Sequence, residues 1–132
     1  MDKTYERFFY FVFMKYEELV REIIRIFYKV YNRLGYGFLE KVYENAMKIE
    51  LEKSGIKFSN QFPVKVFYDG QVVGDYVADF IVDGKIVVEL KAISNISMKD
   101  SNQLLNYLSA TSKVVGLLLN FGERPIFRIR EK

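Results

Sequence analysis

The chain has 132 residues, half of them hydrophobic with 12 Phe and 10 Tyr, which suits one domain with a real core and excludes a disordered polar chain. It contains no cysteine and no histidine, so thiol nucleophiles, disulfides, zinc fingers, Ser-His-Asp triads and His-ligated metal sites are all excluded. A net charge of +3 permits an anionic polymer as partner without demanding one, and any hydrolysis must run on carboxylates, Lys, Tyr and a hard cation.

The apolar run FFYFVFM at residues 8–14 is too short to span a bilayer and lacks a signal-peptide cleavage site. It reads as a hydrophobic edge that packs on the domain or on a second subunit, as in a homodimer. No membrane segment is expected, and the missing cysteine fits a reducing, cytoplasmic compartment. From about residue 16 to 33, Leu19, Val20, Ile23, Ile24, Phe27, Val30, Tyr31 and Leu34 form a helical stripe that Gly35 and Gly37 end. A second helix is expected from about 38 to 53, with Leu39, Val42, Tyr43, Ala46, Ile49 and Met47 on its apolar side. The period then changes to two. Phe62, Val64, Val66 and Tyr68 alternate before an Asp69-Gly70 turn, a strand runs from 72 to 82, and Asp83-Gly84 turns it back. The strand from 86 to 92 is apolar up to Glu89, which suggests burial on both faces. A helix from 99 to 111, a buried strand from 114 to 120 and a short strand from 126 to 129 complete the order ααβββαββ. No linker or repeat divides the chain, so residues 1–132 read as one α/β (α+β) domain with an extra aromatic segment at 1–15.

The strongest chemical signal is Asp79 on one strand and Glu89-Leu90-Lys91 on the next. Glu89 and Lys91 point the same way, because strand side chains alternate. Two carboxylates on adjacent strands can share magnesium or manganese, and a neighbouring lysine can orient water or offset charge building on a phosphate. The register decides whether they can meet. If Val82 pairs with Lys85, Asp79 and Glu89 face opposite ways; if Val82 pairs with Ile86, Asp79 sits opposite Glu89. Glu40 and Tyr43 share a face at the start of the second helix, where a glutamate is also explained by the helix dipole alone. Gln103 and Tyr107 lie one turn apart on the third helix and could hold a phosphate or stack on a base. Lys99, Lys113, Arg124, Arg128 and Arg130 are further candidate phosphate contacts.

Residues 37–43 (GFLEKVY) resemble the signature of the GxxExxY proteins. DYVAD at 75–79, VELKA at 88–92, the stretch from Gln103 to Leu108 and LNFG at 119–122 resemble the same family in the same order, over roughly residues 19–130. That family is grouped with the PD-(D/E)xK nucleases, which include restriction endonucleases and RecB-like enzymes. The resemblance implies a restriction-endonuclease-like core, a mixed sheet flanked by helices. It implies that Asp79, Glu89 and Glu40 hold Mg2+ or Mn2+, and that Lys91 acts with them in catalysis. It also implies that Gln103 and Tyr107, with Tyr43 beside them, touch the substrate. Ala78 stands where the superfamily motif has proline. The expected activity is metal-dependent phosphodiester hydrolysis of nucleic acid, DNA ahead of RNA. The rivals are a non-catalytic nucleic-acid-binding or assembly module on the same fold, and a hydrolase of small phosphorylated substrates.

Overall fold

A computed structural model of the chain describes residues 16–132, so the aromatic run at 8–14 lies outside the described residues. Helices α1 (Glu17–Leu34) and α2 (Glu40–Lys53) come first, followed by strands β1 (Phe58–Tyr68), β2 (Gln71–Val82) and β3 (Ile86–Lys91). Helix α3 (Met98–Thr111) and strands β4 (Val115–Phe121) and β5 (Pro125–Glu131) complete the order ααβββαββ that the hydrophobic periods imply. The five strands form one sheet in sequence order. The β3–β4 pair is parallel and the others are antiparallel, so the sheet is mixed, and α3 is the crossover that a parallel pair requires. Among the described residues no helix is long and apolar enough to cross a membrane.

The two faces of the sheet carry two cores. On one, Val20, Ile23, Phe27 and Val30 of α1 and Tyr43, Met47 and Leu51 of α2 pack on Phe80, Val88, Leu90 and Leu119. On the other, Leu104, Tyr107 and Leu108 of α3 pack on Val64, Ile81, Val87 and Leu118. All of β4 is buried, and so is β3 up to Leu90, as expected of central strands covered on both sides. A Cβ at Gly116 would lie 2.8 Å from Leu104, so this glycine lets α3 approach β4 closely.

Helix α2 departs from its expected orientation. Leu39, Val42 and Ile49 are exposed, and the buried face carries Tyr43, Met47 and Leu51 together with Glu44 and Glu50. A hydrophobic stripe cannot reveal this face, because two of its residues are acids buried by virtue of their partners. Glu50 receives Lys29 at 2.9 Å and Arg33 at 3.8 Å, which tie α2 to α1, and Lys53 of its own helix at 3.7 Å. The hydrogen bond from Lys29, reinforced by the three positive charges, holds the Glu50 carboxyl below its ordinary 4.5. The stability it confers is therefore complete above the unfolded value and lost as the pH falls through the lower folded one. Because the cations are largely exposed and screened, Glu50→Gln is expected to cost about 1 kcal/mol at neutral pH in urea titrations. The gap from wild type should close on acidification below the carboxylate range; a constant gap would show that packing, not charge, is what the substitution removes.

Candidate active site

Strands β2 and β3 start from the Asp83-Gly84 turn with Val82 opposite Ile86, the register that brings Asp79 toward Glu89. The turn reaches it with positive φ at both Asp83 (52°) and Gly84 (65°) and a Lys85 N–H bond to the Val82 carbonyl. Pairing continues only through Ile81–Val87 and Phe80–Val88 and then stops. Beyond that point β2 stays with β1 and β3 stays with β4, so the sheet splits. The two carboxylates fill the split. The Leu90 N–H donates to Asp79 Oδ2 at 2.7 Å, and the Asp79 N–H donates to Glu89 Oε1 at 3.2 Å. Side chains thus satisfy amides that a continued ladder would have used.

The regular alternation of β2 breaks at the same place. Phe80 packs with the α1–α2 core, yet Ala78 packs with the α3 core, although residues two apart on a regular strand share a face. Gln61 lies on β1 between the Asn60–Phe80 and Phe62–Ala78 pairs, with φ of +56°. The hairpin therefore turns over at Gln61 and Asp79, and its outer half crosses to the α3 side.

The electrostatics follow from this burial. Asp79 and Glu89 are 9% and 8% exposed. Desolvation, then the Asp79 charge, pushes the Glu89 carboxyl up to about 9, where it is protonated at neutral pH and shares its proton with Asp79. Asp79 is also raised, chiefly by burial, against the opposing Leu90 hydrogen bond. Glu40 stands in the first turn of α2; partial burial and then the Asp79 charge raise it, while Lys91 pulls it down. Glu40 and Glu89 thus each lie within electrostatic reach of Asp79 and Lys91. Lys91 Nζ donates to Gln103 Oε1 at 3.4 Å, which joins the end of β3 to α3. Burial and then the Glu89 charge lift the Tyr107 hydroxyl to about 12, so Tyr107 belongs to the same corner.

Tyr43 is placed elsewhere. It is fully buried and stacks on Phe121 at 4.3 Å; its hydroxyl donates to the Gly35 carbonyl at 2.7 Å and accepts from the Phe38 N–H. Instead of facing a substrate, it pins the loop from which α2 and Glu40 begin. Among the five basic candidates, Lys99 lines a groove beside Gln103 and Tyr107. Arg130 donates to Ser101 Oγ at 3.1 Å and braces α3, and Arg128 bonds the Phe127 carbonyl.

Comparison with known proteins bears on this corner. The family model of the PD-(D/E)XK nuclease superfamily matches residues 17–131. The chain belongs to that superfamily. The crystal structure of SSO0001 is similar in fold, with a TM-score of 0.57 and 20% identity over 70% of this chain and 50% of that one. The chain thus spans about half the length of that protein. A comparison with curated proteins gives no match.

The split between β2 and β3 gives this PD-(D/E)XK domain a supporting layer that sequence reasoning missed. Glu44 is buried and takes hydrogen bonds from Lys41, Asn60 and Gln61 at 3.0–3.1 Å. Burial would raise its carboxyl, but these donors outweigh it and hold Glu44 below its ordinary value. Asn60 also donates to the Asp79 carbonyl at 3.0 Å, and Gln61 to Asp79 Oδ1 at 3.4 Å. On the far side the fully buried Asn120 bonds both the N–H and the carbonyl of Ile93, at 3.0 and 2.9 Å, just after Lys91. The single available signal was Asn120 in an otherwise apolar strand.

The raised Glu89 makes a stability prediction. Between 4.5 and about 9 the folded protein keeps a proton on Glu89 that the unfolded chain releases, so stability falls as the pH rises through that window. Glu89→Gln preserves the neutral shape and removes the titration. With chelator present, its urea-derived stability should fall less steeply than wild type between about pH 5 and pH 9, by at most ~1.4 kcal/mol per pH unit. Identical slopes would mean that Glu89 is ionised throughout.

Proposed function

We propose that the chain is a divalent-metal-dependent nuclease that hydrolyses phosphodiester bonds of nucleic acid, DNA ahead of RNA, and that it belongs to the GxxExxY branch through Gly37, Glu40 and Tyr43. What carries this reading is the split between β2 and β3, where two buried carboxylates meet beside Lys91.

The donor set fits a hard cation. It offers oxygen ligands only, and burial raises both carboxyls, Glu89 further through the Asp79 charge. Among the described residues no three acidic side chains already form a ligand cage, and each of the two carboxylates gives one oxygen to a backbone amide. Asp79 and Glu89, with Glu40 as the third carboxylate, would hold Mg2+ or Mn2+. When bound, such an ion supplies Lewis acidity toward a phosphoryl oxygen.

The chain's own residues do the rest. Lys91 would hold the attacking water and offset the negative charge that grows on the phosphoryl oxygens. Gln103, on Lys91, would orient that ammonium and touch the strand, and Tyr107 would border the substrate. Glu44, Asn60 and Gln61 fix Asp79 from behind. Without histidine, Lys91 and the carboxyls are the groups left to manage protons here.

Single-stranded DNA, duplex DNA and RNA, each incubated with magnesium, manganese or chelator, test the proposal. Wild type is expected to cleave only with metal, and Lys91→Ala to lower the rate by ~100-fold or more while still binding substrate. Binding without cleavage under every condition would favour an assembly module on the same fold. Equal cleavage by wild type and Lys91→Ala would remove Lys91 from the chemistry.

A further inference from the structure

We propose that the trough between α3 and the outer half of the β1–β2 hairpin binds a single strand of nucleic acid, its bases stacking on Tyr76 and Phe67. The proposal deepens the nuclease reading and rests on it for the nature of the polymer. Gln103 and Tyr107 belong to the site already described; the extension beyond them is new.

Two open grooves run side by side along α3. One, of about 450 Å³, is lined by Tyr76, Lys99, Asn102, Gln103, Asn106 and Tyr107. The other, of about 520 Å³, continues past the shared Tyr76 and Asn106 to Phe67, Lys65 and Ser109. Because they share two residues, they form one trough, and it starts at the Gln103 that Lys91 contacts. Among the described residues no carboxylate lines either groove. Asp75 stands opposite Lys65 across the hairpin and weakens that lysine's contribution, but it stays out of the lining.

The walls suit unstacked bases. Tyr76 is 46% exposed and its ring is held against Tyr107 at 5.4 Å in an edge contact, so it is a fixed aromatic plate. Phe67 is 61% exposed, and the register shift between Val66 and Phe67 takes it out of regular alternation. Aromatic faces bind bases in any sequence, whereas a duplex hides its base faces. Asn102 and Asn106 add amides that can donate to phosphates or to base edges. A trough lined by exposed rings, amides and lysines, with no acid among the described residues, thus fits a single strand better than a duplex or an apolar peptide.

The turn-over at Gln61 and Asp79 explains why the trough exists. It carries Val64, Ala78 and the adjoining Tyr76 to the α3 side, so the distortion that seats Asp79 also builds the wall.

Fluorescence anisotropy in chelator separates binding from cleavage. The probes are labelled oligothymidylate and oligouridylate of about twelve nucleotides and a duplex of equal length. Wild type should bind the single strands more tightly than the duplex, and Phe67→Ala and Tyr76→Leu should each weaken single-strand binding about tenfold. Asn106→Asp, which puts a carboxylate in the trough, should weaken it further. The two single strands distinguish a deoxyribose from a ribose source for the same stacking chemistry. Thermal melts check folding, and Phe67→Ala, at an exposed position, keeps the test valid if Tyr76→Leu is unstable. Tighter duplex binding, no binding, or unchanged affinity in folded variants would overturn the proposal. Metal-dependent cleavage with trough variants that bind like wild type would sink the trough and leave the nuclease reading intact; trough-dependent binding without cleavage would do the opposite.

Discussion

Two carboxyl groups buried between strands that have stopped pairing set the terms for this molecule. A pair of antiparallel strands that separates inside a protein leaves amides without partners, and each unpaired buried amide costs on the order of 1–3 kcal/mol. Asp79 and Glu89 meet that cost by accepting from the Leu90 and Asp79 N–H groups. The solution creates a second problem, because two carboxylates in contact and away from water cannot both ionise cheaply. A proton held by Glu89 resolves it, and so would a cation. The same exchange of side chain for backbone that lets the sheet open therefore leaves a place with a demand for positive charge.

The rest of the structure supports that opening from three sides. Glu44, Asn60 and Gln61 hold Asp79 from α2 and β1. Asn120, opposite Lys91 on the parallel β4, clamps the backbone at Ile93. A Cβ at Gly122 would lie 2.5 Å from the Ile93 carbonyl, so only glycine allows the clamp to close. Tyr43 ties the Gly35–Phe38 loop to the core and so sets where Glu40 starts α2. None of these residues needs to touch a substrate to fix the position of those that would.

Much of this was legible in the order of residues, and the exceptions share a cause. The turn at Asp83-Gly84 left two registers open, and the apolar run ending in Glu89 and Lys91 marked β3 as a central strand whose charges needed partners. The element order followed from the hydrophobic periods alone. The buried face of α2 did not, because Glu44 and Glu50 are buried by their cations and amides, and no apolar pattern announces a paired acid. The resemblance made Tyr43 a candidate substrate contact although its helical spacing put it on the apolar side; its stacking on Phe121 shows that it faces the core. Gln61 was invisible for a different reason. Its left-handed backbone is a property of the twisted hairpin, and a glutamine carries no preference for that conformation.

The parallel pairing of β3 and β4 explains how distant residues come to act at one corner. A parallel pair needs a crossover, and here α3 fills that role. The chain leaves β3 at Lys91 and is caught at Ile93 by Asn120. It then enters α3 at Ser97, whose N–H bonds Asp100 Oδ2 at 2.9 Å. Its start anchored, α3 lies back over the sheet with Leu104 against Gly116. That packing puts Gln103 above Lys91 and Tyr107 near Glu89. The next turns of α3 then have to pass beside whatever the β1–β2 hairpin presents on that side. Had the hairpin kept regular alternation, Ala78 and Val64 would face α1 and α2; the turn-over at Asp79 sends them to α3 instead. One local distortion thus positions a candidate metal ligand and gives the crossover helix a second wall.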